Sequence, residues 1–207
     1  MNAERFDGTR PGRAGARGAA LVLAAALVLA AGCDGPAAIQ DPNKEKETAM
    51  SFELSSPALK HNERIPKPFT GEGEDKSPPL QWQGAPATTQ AFALVCDDPD
   101  APAGTWVHWV IWNLPGTLTA LPEGVARSKE VADLGGARQG ANSWPTGNIG
   151  YRGPMPPPGH GPHRYHFTLY ALNQKLDLAA GAAKKELIHA MTGHILGEAR
   201  LTGKYER

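Results

Sequence analysis

The sequence has little of what would announce a familiar chemistry. Only two of its 207 residues are cysteine, Cys33 and Cys96, so at most one bridge could form and a disulfide framework is excluded. Aromatic residues make up 7%. Neither sign of charge dominates, since 21 basic residues meet 21 acidic ones. No run of Lys or Arg stands out from a solvated surface, which removes the electrostatic case for a nucleic-acid partner. The chain contains no H-E-x-x-H, no G-x-S-x-G and no phosphate-loop sequence, so the common metalloprotease, serine-hydrolase and nucleoside-triphosphatase frameworks have no foothold. The uncharged stretch 19–31 falls short of the roughly 20 apolar residues that cross a bilayer. Internal repeats are lacking too.

Glycine and proline, in contrast, are plentiful at 24 and 19, alongside five tryptophans. Such a chain reads as a loop-rich body with short elements, and its length suits one domain.

The N-terminus reads as an export signal. Arg5, Arg10, Arg13 and Arg17 precede the uncharged stretch, the order found in a signal peptide, here 1–32. Leu29-Ala30-Ala31-Gly32-Cys33 resembles a bacterial lipoprotein cleavage box, with Ala30 where a large aliphatic residue is usual. The resemblance implies that Cys33 is acylated and becomes the new N-terminus, on enough acyl chains for stable anchoring. The protein would then sit in a bacterial cell envelope, lipid-anchored and facing the periplasm or exterior. Cys96 would be left without a partner. It lies in the apolar run 91–96 and reads as a small buried hydrophobe, not a nucleophile. Once the leader is removed, 17 basic and 19 acidic side chains remain. Residues 33–49 are polar and without period, as a tether would be, and 50–207 form the expected domain.

Within that domain, short β-like runs alternate with Gly/Pro punctuation at 52–55, 80–82, 90–97, 106–113 and 163–172, the pattern of a mostly β sandwich of antiparallel sheets. Leu187, Ile188, Met191, Ile195 and Ala199 fall at helical spacing and predict a C-terminal amphipathic helix, against which Gly193 and Gly197 count.

Two strands and two loops concentrate the polar groups. Alternation along 106–113 places His108 with Trp106 and Val110 on one face; taken alone, such a histidine reads as a core residue. Alternation along 163–170 groups His163 and Tyr165 and sends His166 to the other face. Asp97-Asp98-Pro99-Asp100-Ala101-Pro102 ends an apolar strand, where carboxylates usually cap turns. The segment 150–162, rich in Gly and Pro, reads as a stiff wall or as a polyproline II surface loop.

Taken in order, these segments resemble the phosphatidylethanolamine-binding protein family, in particular its bacterial Raf-kinase-inhibitor-like branch. The resemblance runs from Phe52 to Tyr205. It is carried by Ser77-Pro78-Pro79-Leu80 with Trp82, Asp98-Pro99-Asp100-Ala101-Pro102, His108-Trp109-Val110 with Asn113, the Gly140/Asn142/Ser143 and Gly150-Tyr151 loop, and His163-Arg164-Tyr165. It implies a sandwich of antiparallel sheets with peripheral helices. It also implies a pocket of Asp98, His108, His163 and Tyr165 walled by Pro102, Trp106, Pro156 and Pro157, accepting a phosphate-like anion or a phosphoethanolamine-type head group. Two features depart from the pattern: Thr70-Gly71-Glu72-Gly73 replaces a Cys-Asp-Gly, and Met155 stands where a small residue commonly lines the pocket mouth, which it would narrow.

A phosphate monoester offers mainly acceptors, so the ring N–H groups of His108 and His163 and the Tyr165 hydroxyl are expected to donate to it. Asp98 would fix a histidine tautomer or accept a proton from the ligand. No cofactor, metal or catalytic residue is expected, and a homodimer is compatible with the resemblance. Two other readings stay open. One is inhibition of an envelope protease or kinase by protein contact, with an unnamed partner; the other is metal-assisted hydrolysis by the two histidines and one carboxylate.

Overall fold

An unbroken apolar run must be covered on both sides. In the computed structural model, which describes residues 51–146 and 148–207, the run 91–96 becomes the middle of a sheet. The leader, Cys33 and the tether lie outside the described residues.

Among the described residues the strands are β1 (Glu53–Ser55), β2 (Leu80–Gln83), β3 (Ala91–Asp98), β4 (Trp106–Pro115), β5 (Ala120–Leu121), β6 (Glu130–Val131), β7 (Ala137–Gln139), β8 (His163–Leu172) and β9 (Ile195–Tyr205), with one α-helix, α1 (Lys184–Met191), before β9. They build a three-stranded sheet ordered β1-β2-β5 and a six-stranded sheet ordered β6-β7-β4-β3-β8-β9. Every strand pair is antiparallel. The expected mostly β fold and all five expected strands are present.

β3 is flanked by β4 and β8, and its two faces serve two cores. Phe92, Leu94 and Cys96 join Leu54, Leu80 and Trp82 of the small sheet in the front core. Ala93 and Val95 join Leu187 and Met191 of α1 in the back core. Burying Leu187 and Met191 completely contributes about 1.5–3 kcal/mol each.

α1 starts where the Glu186 carboxylate accepts the Ala183 N–H at 2.7 Å, half of a capping box. It stops sooner than the apolar spacing predicts. Gly193 takes φ of 80°, a conformation favoured by glycine, and β9 begins at Ile195. Ile195 and Ala199 therefore belong to a strand, because a spacing of four satisfies a period of two as well as a helical one.

β4 departs from simple alternation twice. Its pairing with β3 jumps from Cys96↔Trp109 to Asp97↔Val107, and from Phe92↔Leu114 to Ala93↔Trp112. His108 and Asn113 are thus extra residues in bulges, which bend a strand and re-aim its side chains. Trp106 faces the same side as Asp98, as expected, but Val110 lies in the back core. The expectation that Val110 shares a face with His108 fails because the bulge intervenes. At the second bulge Asn113 adopts φ of 58°, which its short polar side chain tolerates. That side chain donates to Leu176 O at 2.9 Å and accepts from Leu176 N at 2.8 Å.

The Gly/Pro-rich segment after Gly150 is tied down. Tyr151 donates its hydroxyl proton to Phe69 O at 2.7 Å, and Gly71 N donates to Pro154 O at 2.9 Å. Any Cβ at Gly153 would lie 2.5 Å from Phe69 O, so only glycine permits this approach.

Candidate functional site

Three segments converge at one end of the central strands. β3 ends in Asp98, which is 3% exposed. Its Oδ1 accepts the Asp100 N–H at 2.8 Å, the turn that Asp and Pro at a strand end favour. Asp100 in turn grips Arg164 through Nε–Oδ2 at 2.9 Å and Nη2–Oδ1 at 2.7 Å, and also accepts the Arg164 N–H at 2.9 Å. The Arg164 hydrogen bonds hold the Asp100 carboxyl down at about 2. This fork fastens the turn to the start of β8, where His163 and Tyr165 point to the same face.

His163 donates Nδ1–H to Asp98 Oδ2 at 2.7 Å, with both side chains nearly inaccessible. His108, aimed by its bulge, bonds through Nδ1 to the Arg152 carbonyl at 2.6 Å. A carbonyl can only accept, so Nδ1 carries the proton and Nε2 is left with a bare lone pair. Burial lowers the His108 pKa to about 4, so its ring is neutral at physiological pH. Burial, followed by the nearby Asp98 charge, pushes the Tyr165 phenol well above its ordinary value. The Tyr165 hydroxyl is buried with no hydrogen-bond partner among the described residues.

The resulting pocket has a volume of about 360 Å³ and is lined by all nine expected residues: Asp98, Pro102, Trp106, His108, Met155, Pro156, Pro157, His163 and Tyr165. That size falls at the lower end for small-molecule sites. Met155 stands half exposed at its rim, while Pro156 is buried.

Sequence reasoning missed Trp144, Ala101 and Ala103, which also line the pocket. Trp144 packs edge-on against His108 at 5.0 Å and Trp106 at 5.5 Å between centroids. The signal for it was one residue beyond the Gly140/Asn142/Ser143 landmark. His166 stays out, bonding Thr202 Oγ1 at 3.0 Å. Cys96 is buried, with its thiol pKa raised by burial.

One expectation changes. Neither histidine has its Nδ1–H free for a ligand, because Arg152 O and Asp98 Oδ2 have taken them. Asp98 meets His163 through Oδ2 and the Asp100 N–H through Oδ1, one hydrogen bond to each oxygen, and a carboxylate keeps further lone pairs with which it can accept a ligand proton. For the metal reading, Asp98 holds the Nδ1 edge of His163, opposite the free Nε2. Among the described residues no three His, Cys, Asp or Glu side chains are grouped as a metal would need.

The sequence model of the family described as phosphatidylethanolamine-binding protein matches residues 55–206. A UPF0098 protein of Methanothermobacter thermautotrophicus is 49% identical over 154 residues, 74% of this chain and 98% of its own. One of Pyrococcus horikoshii is 43% identical over 187 residues, 90% of this chain and 88% of its own. Among solved structures, Escherichia coli YbcL superposes with a TM-score of 0.69 at 32% identity, covering 75% of this chain and 98% of that one. A putative phosphatidylethanolamine-binding protein homologue from Chlamydia trachomatis gives 0.67 at 36%, covering 76% and 98%.

Proposed function

This chain belongs to the phosphatidylethanolamine-binding protein family, and from that premise we propose that its pocket takes a phosphate-like anion or a phosphoryl head group as a binding site, not as a catalytic one. The observation that carries this reading is the pair of histidines with their Nδ1 atoms committed inward. Each leaves one Nε2 for an occupant, beside a buried and unspent Tyr165 hydroxyl. His163 is held by the Asp98 carboxylate, and beside it the Tyr165 hydroxyl can donate to an anion. The reading as a binder, not an enzyme, is supported by the burial of the Cys96 thiol.

The proposal extends to place. Export through 1–32 and acylation at Cys33 would hang the domain from a membrane of the cell envelope on the segment 33–49, which fully extended reaches at most about 60 Å. Regulation of a neighbouring envelope protein would then be the consequence of head-group capture.

Calorimetric titration with phosphoethanolamine between pH 8 and pH 5.5 tests the binding reading. Affinity is expected to rise as pH falls, and His108→Ala is expected to weaken binding by about 1.5–3 kcal/mol, the contribution of a hydrogen bond to a charged group. Heat changes indistinguishable from dilution at every pH would refute it.

A further inference from the structure

A pocket for phosphoryl groups commonly surrounds them with donors, and this one does not. The Arg152 carbonyl keeps the His108 proton on Nδ1, so the nitrogen left over is an acceptor. A fully deprotonated anionic oxygen placed against it would meet lone pair with negative charge. Among the residues lining the pocket none is Lys or Arg, so no fixed positive charge offsets that conflict. The Tyr165 hydroxyl supplies a donor; His108 Nε2 asks for one, and the Asp98 carboxylate, with one hydrogen bond to each oxygen, can accept another.

We infer that the pocket selects phosphate monoesters in their singly protonated form, with the ligand's own P–OH donating to His108 Nε2. It would reject anions of equal charge that carry no such proton, phosphodiesters and sulfate esters included. The inference rests on the phosphoryl-binding reading and sharpens its ligand class: a phosphodiester head group, permanently charged and without P–OH, is the poorer occupant.

Charged and titratable groups face His108 from each packed element. From β3 come the Asp98 and Asp97 charges, and from the 71–75 segment comes Asp75; all three would favour a charged ring. Burial outweighs them. From β8 come Tyr165, whose ring meets His108 perpendicularly at 5.1 Å, and His163. From the 144–152 loop come Trp144 and Arg152, but the Arg152 guanidinium is turned to Asp75 at 3.2 Å and lies over the Trp144 ring. The Arg152 cation is therefore already paired.

Ethanolamine O-sulfate matches phosphoethanolamine in shape and, near pH 5.5, in charge, because the second phosphate proton is lost with a pKa of about 6. It differs by that proton. Calorimetry of the full-length protein at pH 5.5 should find phosphoethanolamine bound at least tenfold more tightly. At pH 7.5, titration in buffers of different ionisation heat should find phosphoethanolamine taking up about one proton more than the sulfate does. Equal affinities, a tighter sulfate, or equal proton uptake by the two ligands would overturn the inference and leave phosphoryl binding standing. Failure of both ligands to bind would overturn both.

Discussion

His108 trades hydration for a neutral carbonyl partner, and the exchange has a cost that depends on pH. Its unfolded ring titrates near 6.5 and its folded ring at about 4. Between these values the unfolded chain holds more protons, so stability rises with pH across that window. The stabilisation is complete above about 6.5 and is lost as pH falls towards 4. The shift corresponds to about 3 kcal/mol. Urea unfolding at pH 7 and pH 4.5 is expected to record most of that loss in the natural protein. His108→Gln, which cannot titrate, should flatten the dependence; an unchanged slope would remove His108 from the account. His166, whose pKa burial also lowers, will leave a smaller residual slope.

At the scale of elements, β4 decides where the site is. Its two bulges separate Trp106 and His108, which face the pocket, from Val110 and Trp112, which face α1. Asn113 anchors the second bulge with two hydrogen bonds to Leu176 and a left-handed backbone. Asn113→Ala should therefore cost about 2–4 kcal/mol, from two lost hydrogen bonds and a conformation alanine disfavours. A shift in urea midpoint worth less than about 1 kcal/mol would mean the bulge is held by other contacts. The site was legible in the sequence to the extent that strand alternation holds. It grouped His163 with Tyr165 and excluded His166 because β8 has regular pairing through that stretch. It grouped His108 with Trp106 correctly and with Val110 incorrectly, since a bulge has no signature in hydrophobic pattern. The helix was overextended into β9 for a related reason, because apolar residues four apart do not distinguish strand from helix. The tautomer of His108 was illegible, since its partner is a main-chain atom supplied by a loop 44 residues away.

For the whole molecule, the pocket and α1 lie on opposite faces of the six-stranded sheet, each with its own core. Acylation at Cys33, as proposed, would suspend this domain from one terminus. Cys33→Ser is expected to move the protein from the membrane pellet to the soluble envelope fraction on cell fractionation, without altering its affinity for phosphoethanolamine. Continued sedimentation with membranes would remove the anchor from the proposal. The acceptor that fixes His108 is a backbone carbonyl, present whichever side chain stands at position 152. Exchange of Arg152 can disturb the ion pair with Asp75 yet cannot delete that oxygen. The proton preference of the pocket is thus inherited through the path of the chain. It should survive sequence drift at position 152 and be most vulnerable at Gly153, where a single methyl group would push that path aside.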